Sequence, residues 1–171
     1  MVKLIEDKIV DALKAADDMY HRLVLLVGVS GTGKTSLLRR LANDLDTEVI
    51  NLNLALSAAL LELTTKQRTL RLPALLSDIV AKAQTPLLLD NIEILFDPEL
   101  KQDPLRLLKG ISRNRPMVVA WNGTMHNGKL FYAEPSHPEY KSYDVGDTLI
   151  VGMDGTSTVD RAQEITGAGQ P

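Results

Sequence analysis

Leu23-Val24-Leu25-Leu26-Val27-Gly28-Val29-Ser30-Gly31-Thr32-Gly33-Lys34-Thr35-Ser36-Leu37-Leu38 is the stretch that decides the fold. Five apolar residues ended by glycine suit a strand buried on both faces of a parallel sheet. Residues 28–35 then match G-x-x-x-x-G-K-[ST] in full. Beyond them Leu37, Leu38, Leu41 and Leu45 fall on one face at helical spacing over residues 36–45. Strand, glycine turn and helix in that order form an anion site from loop N–H groups and a helix N-terminus.

Each position of the loop has a chemical reason. Gly28, Gly31 and Gly33 let the backbone wrap phosphate oxygens, with positive φ where needed. Lys34 has the reach and charge for β- and γ-phosphates, and the Thr35 hydroxyl is a ligand for Mg²⁺. The nucleotide-binding set is Gly28, Ser30, Gly31, Thr32, Gly33, Lys34, Thr35 and Ser36, for ATP with Mg²⁺. The bland alternative, a structural glycine turn, does not explain why a strand precedes and a helix follows.

Outward from the loop, the pattern alternates. Residues 4–16 carry apolar groups at spacings of three and four and read as a packing helix. Residues 48–53 read as a second strand and 54–63 as a Leu/Ala-rich helix. Residues 64–68 read as a polar connection, and Pro73 as the first turn of a helix over 73–83. A third strand at 86–90, a helix from the Asp103-Pro104 cap to Ser112, and a fourth strand at 116–121 follow. Residues 129–133 suggest a strand, 134–140 a proline-containing loop, and 148–153 a fifth core strand. The expectation is an α/β three-layer P-loop NTPase fold of the AAA-like class, with about five parallel strands flanked by helices and no full helical lid. The domain would span residues 1–153, with 154–171 a flexible tail.

A second acidic site is needed to hold the Mg²⁺ shell. Asp90, ending Leu87-Leu88-Leu89, is the candidate; a helix-capping Asp is the alternative. The residue after it is Asn91, which can orient water but cannot take its proton. Glu93 can serve as that base if the chain turns at Asn91; otherwise it is a surface or capping Glu. Asn122, after the fourth strand, is a candidate γ-phosphate sensor, although Asn122-Gly123 also reads as a turn. Arg113 or Arg115 could act as an arginine finger across an interface, or simply form a solvated basic turn. The catalytic candidates are therefore Lys34, Glu93, Asn122 and Arg113, with Thr35 and Asp90 as metal ligands.

Composition removes other classes. The chain has 171 residues, 44% hydrophobic, with 19 Lys+Arg against 22 Asp+Glu and a net charge of −3. That excludes a disordered chain and disfavours an autonomous basic nucleic-acid binder. With no cysteine, there is no disulfide framework, Cys-ligated zinc or thiol nucleophile. No apolar run exceeds the five residues of 23–27, far short of a membrane span, and residues 1–8 lack a signal-peptide core. A cytoplasmic location is expected. Lys66, Arg68 and Arg71 form the densest basic cluster, either a solvated connection or a nucleic-acid contact; the three histidines show no ligand spacing.

Taken together, residues 25–35, 50–54, 88–97 and 119–123, with 133–140, resemble the BrxF family, the small P-loop proteins of type 3 BREX bacteriophage-exclusion systems. Leu88-Leu89-Asp90-Asn91-Ile92-Glu93-Ile94-Leu95-Phe96-Asp97 and the Trp121-Asn122-Gly123 end carry that identification. The resemblance implies an ATP-dependent component of a phage-defence assembly. Its partners would be a large ATPase, a methyltransferase, a helicase and a phosphatase-like subunit, with any DNA contact made through them. Three readings are open: an ATPase, a nucleotide-gated interaction module that assembles as a homo-oligomer, and a small-molecule kinase. The kinase would need an arginine-rich lid, and only Arg115 and Arg161 follow Arg113.

Overall fold

The chain's structure, a computed structural model, describes residues 2–133 and 141–159. Helix α1 (Val2–Ala16) precedes strand β1 (Leu23–Gly28) and helix α2 (Lys34–Asp44). Strand β2 (Val49–Asn51) runs directly into α3 (Leu52–Leu60), followed by α4 (Thr65–Ala81) and β3 (Leu87–Asp90). Two 3-10 turns, Glu93–Phe96 and Pro98–Leu100, lead to α5 (Pro104–Ile111). Strands β4 (Met117–His126), β5 (Lys129–Tyr132), β6 (Lys141–Asp144) and β7 (Leu149–Gly152) complete the order.

The sheet runs β2-β3-β4-β1-β7, all parallel, as the alternating pattern predicts. Successive strand residues point to opposite faces. Leu23, Leu25, Val27, Leu89, Val119 and Trp121 therefore pack with α3, α4 and α5. Val24, Leu26, Leu88, Val118 and Val151 pack with α1 and α2. β1 is central and covered on both sides, which is why its sequence shows no polar alternation. Each leucine buried there contributes roughly 1.5–3 kcal/mol.

Three local expectations change. Residues 64–68 are not a connection. Thr64 Oγ1 accepts the Gln67 N–H at 3.2 Å while Gln67 Oε1 accepts the Thr64 N–H at 3.0 Å. That capping box starts α4, and Pro73 lies inside the helix rather than opening it. Proline has no N–H, so the Thr69 carbonyl one turn back loses its helical donor. Gln102 Nε2 donates to that carbonyl at 3.0 Å.

Second, β4 does not stop at Trp121. Asn122-Gly123 is strand, and the chain reverses at Asn127-Gly128, both at positive φ (50° and 75°), as a tight hairpin requires. β5 and β6 extend this hairpin as an antiparallel flap off the parallel sheet. Gly123 is obligatory: a Cβ there would lie 1.8 Å from the Phe131 carbonyl oxygen.

Third, the flexible tail expected from residue 154 is folded as far as 159. Gly152 N–H donates to Thr156 O at 2.8 Å, and Ile150 N–H to Thr158 Oγ1 at 2.9 Å. The remainder of that tail and the loop read at 134–140 lie outside the described residues. Among the described residues no helix is long and apolar enough to cross a membrane.

Candidate nucleotide-binding site

The glycine loop joins β1 to α2 at the carboxyl edge of the sheet. Gly31 and Gly33 adopt φ of 85° and 93°. Gly33 caps α2 with no side-chain acceptor, so the first-turn N–H groups face outward. Lys34 is 6% exposed, and its Nζ donates to the carbonyls of Gly28 (2.7 Å) and Val29 (2.9 Å). Burial pulls its ammonium below the ordinary value, against the opposing pull of the Asp90 and Glu93 carboxylates. Thr32 Oγ1 donates to Val29 O at 2.8 Å and stiffens the loop. Ser30 is exposed, and Ser36 lies in the first turn of α2.

Asp90 stands where the sequence places it. Thr35 Oγ1 donates to Asp90 Oδ2 at 2.6 Å, closing a gap of 55 residues. The Asn91 N–H occupies Asp90 Oδ1 at 3.0 Å. Thr35 lies in the first turn of α2, and Asp90 ends β3, which β4 separates from β1, the strand that leads into the loop. Asp90 is 6% exposed, a carboxylate held in low-dielectric surroundings by two donors.

The turn at Asn91 is real: its φ is 54°, a left-handed conformation that Asn tolerates better than most residues. It redirects the chain so that Glu93 points back to the sheet edge. Asn122 Nδ2 donates to Glu93 Oε1 at 2.7 Å, and Asn53 Nδ2 donates to Glu93 Oε2 at 2.9 Å. Asn53 was not legible as a site residue. Its Oδ1 accepts the Ile94 N–H at 2.8 Å, which fixes the amide so that its NH₂ faces Glu93. Its own N–H donates to Asn91 O at 2.9 Å. The nearest signal was Asn51-Leu52-Asn53, where β2 passes into α3, but either Asn could be the helix cap. Asn51 is that cap, accepting the Leu54 N–H at 3.1 Å.

The structure does not bring Arg113 to the loop. Gly28 pairs with Asn122 and Leu23 with Met117, so residues before Met117 lie at the amino edge of the sheet. At about 3.3 Å per strand residue, that edge is roughly 16 Å or more from the loop. Arg113 stacks its guanidinium 4.5 Å from the centre of the Tyr20 ring. Arg115 donates to the Val80 (3.0 Å) and Ala81 (3.1 Å) carbonyls and to Ala83 O, closing the C-terminus of α4. Neither reaches a phosphate on its own chain. Arg68 Nε likewise donates to Leu60 O and Leu63 O, both at 3.1 Å, so the centre of the basic cluster closes the end of α3. His21 Nδ1 lies 2.9 Å from Lys109 O, a structural contact.

This sheet order, glycine loop and Thr35–Asp90 pair define a P-loop nucleotide-binding domain. A family model described as "ATPase family associated with various cellular activities (AAA)" matches residues 24–115, just over half of the chain. The chain belongs to the AAA family. No curated protein matches. A solved structure of C. elegans PCH-2 matches with 19% identity and a TM-score of 0.37, over 74% of this chain and 37% of that one. The chain thus spans little more than a third of that protein's length.

Proposed function

We propose that this AAA domain binds ATP with Mg²⁺ and hydrolyses it, with Glu93 as the general base. The observation that carries the reading is the Glu93 carboxylate, held between the Asn53 and Asn122 amides beside the Thr35–Asp90 pair. Lys34, already bonded to the loop carbonyls, would offset phosphate charge. Thr35 and Asp90 would hold Mg²⁺, which suits an ion that takes a hydroxyl, a carboxylate and substrate phosphates rather than a full protein cage. Mg²⁺, when bound, neutralises charge on the β- and γ-phosphate oxygens. The two amide donors hold the Glu93 carboxylate in place, and it would accept a proton from water. Asn122 would report γ-phosphate occupancy to Glu93 through their shared bond.

A second reading is that of a nucleotide-gated interaction subunit with little intrinsic turnover. It is favoured by the same bonds, since both Glu93 oxygens are already engaged. In either case we infer a place in a BREX-like phage-defence assembly, alongside a large ATPase, a methyltransferase and a phosphatase-like subunit. Support for that setting is the sequence resemblance of 88–97 and 119–123, the segments that supply Asp90, Glu93 and Asn122.

Phosphate release from Mg-ATP by the purified protein, with and without duplex DNA, tests the proposal. Lys34→Ala is expected to abolish nucleotide binding. Glu93→Gln is expected to keep binding and lower turnover by about 10²–10⁴-fold. Equal turnover in Glu93→Gln would remove Glu93 from the chemistry. An ATP-dependent change in mass without turnover would favour the interaction subunit.

A further inference from the structure

Helices α4 and α5 lie on the same face of the sheet and run the same way, because each returns the chain to the amino edge of a parallel strand. Between them opens a cleft of about 750 Å³. Its floor is apolar, with Val80 of α4 and Leu107 and Ile111 of α5. Pro73 and Ser77 form its α4 wall. Leu70, 70% exposed, sits one turn before Pro73 on the same helical face, so the apolar stripe continues past the cleft. None of the lining residues belongs to the glycine loop.

Two observations point to a partner. The first is charge. Lys101, Arg106 and Arg115 line the cleft against a single carboxylate, Asp103. Asp103 is engaged as the cap of α5, where its Oδ1 accepts the Arg106 N–H at 3.2 Å. Arg115 is engaged with the Val80, Ala81 and Ala83 carbonyls. Lys101 and Arg106 are exposed, and they give a chain of net charge −3 a local cationic rim.

The second is Gly110, which lies inside α5 and lines the cleft. Glycine weakens a helix, and nothing in the fold demands it there, since no atom comes within 4 Å of a Cβ built on it. Every other glycine among the described residues has a positive φ or a neighbour too close for a Cβ. Gly110 supplies bare helix backbone open to the cleft, which is what the close approach of another main chain needs.

Helical walls, an apolar floor and a cationic rim fit one kind of occupant. An amphipathic helix lays apolar residues spaced i, i+3, i+4 and i+7 into such a groove. We propose that the α4–α5 cleft docks an acidic amphipathic helix of a partner protein. Its apolar side would lie on Val80, Leu107 and Ile111, and its carboxylates on Lys101 and Arg106. Gly110 sets how closely the two helix axes approach. A basic helix would meet Lys101 and Arg106 as like charges and is rejected.

Fluorescence anisotropy with the full chain tests the docking. The probe is a labelled synthetic helix of about four turns, with Leu at the i, i+3, i+4 and i+7 positions and Glu elsewhere. Its counterpart carries Gln in place of every Glu. Wild type is expected to bind the Glu peptide about fivefold or more tighter than the Gln peptide at low salt, the combined effect of two exposed ion pairs. The Lys101→Glu/Arg106→Glu double variant is expected to lose that preference. Gly110→Leu is expected to weaken binding of the Glu peptide by about tenfold or more, because it fills the groove. Its Tm should stay at or above that of wild type, since leucine is the better helix former and meets open space. A wild type that binds the two peptides equally, or binds neither, overturns the proposal. So does a double variant that keeps the preference. So does a Gly110→Leu variant of unchanged affinity, or one of lowered Tm, which would show the position already packed. None of these outcomes bears on ATP binding at the loop.

Discussion

Asn53 and Glu93, forty positions apart, are joined by a 2.9 Å hydrogen bond between their side chains. The bond is one of three by which Asn53 grips the turn after β3, the others going to Asn91 O and from the Ile94 N–H. Glu93 is thereby fixed from the β2 side as well as by Asn122 on the β4 side. The candidate base is set by α3 and β4 and not only by the turn after β3 that carries it.

Asn53→Asp separates position from charge. Aspartate keeps an acceptor for the Ile94 N–H but replaces the donor to Glu93 with a second anion. Two anions at hydrogen-bond distance repel, so the Glu93 carboxylate loses its place between the amides. Turnover is expected to fall by about tenfold or more in Asn53→Asp and by less in Asn53→Ala, which adds no charge. Equal turnover in wild type and Asn53→Asp would show that the Asn53 bond does not position the base.

Gln102 and Pro73 should be energetically coupled. Gln102 Nε2 serves the Thr69 carbonyl that Pro73 leaves without a helical donor. Gln102→Ala is expected to cost about 1 kcal/mol in chemical denaturation. In a Pro73→Ala background, where residue 73 regains its N–H, the same substitution should cost clearly less. Equal costs in both backgrounds would deny the coupling.

Tyr143 gives a pH signature. Burial, with help from the Asp103 charge, pushes its phenol from 10.0 up to about 12, and its hydroxyl finds no partner among the described residues. A raised folded-state pKa means that the folded protein holds the proton longer than the unfolded chain. That contribution to stability is complete below pH 10 and is lost as pH rises toward 12. Tyr143→Phe should be close to neutral in stability at pH 7 and lose less stability than wild type between pH 10 and 12. Absorbance titration should show a tyrosine step near pH 12 missing from the variant. A persistent late step would assign it elsewhere.

Sequence reading reached the loop, the parallel sheet and the Thr35–Asp90 pair because those features are local. The motif names its own residues, and a doubly buried strand is apolar throughout. It reached Glu93 only conditionally, since the condition was a left-handed backbone at Asn91, a single dihedral choice. It misread residues 64–68 because a capping box is polar in the same way as a loop is. It misread Pro73 because the compensating donor, Gln102, comes from a distant turn. It stopped β4 at Asn122-Gly123 because two Asn-Gly pairs compete for one hairpin, and strand pairing with Phe131 and Tyr132 chooses the second.

The sequence by itself determined the class of protein: a strand, a phosphate-wrapping loop and a helix can be recognised from neighbouring residues, without knowing what packs on them. Only the tertiary structure decided the rest of the site. Strand order inserts β4 between β1 and β3 and so aligns Asn122 with the loop. It brings Asn53 onto Glu93 and carries Arg113 to the opposite edge of the sheet. The physical reason is that which side chains meet depends on strand order and register, and these are set by the summed burial of both sheet faces rather than by any short motif.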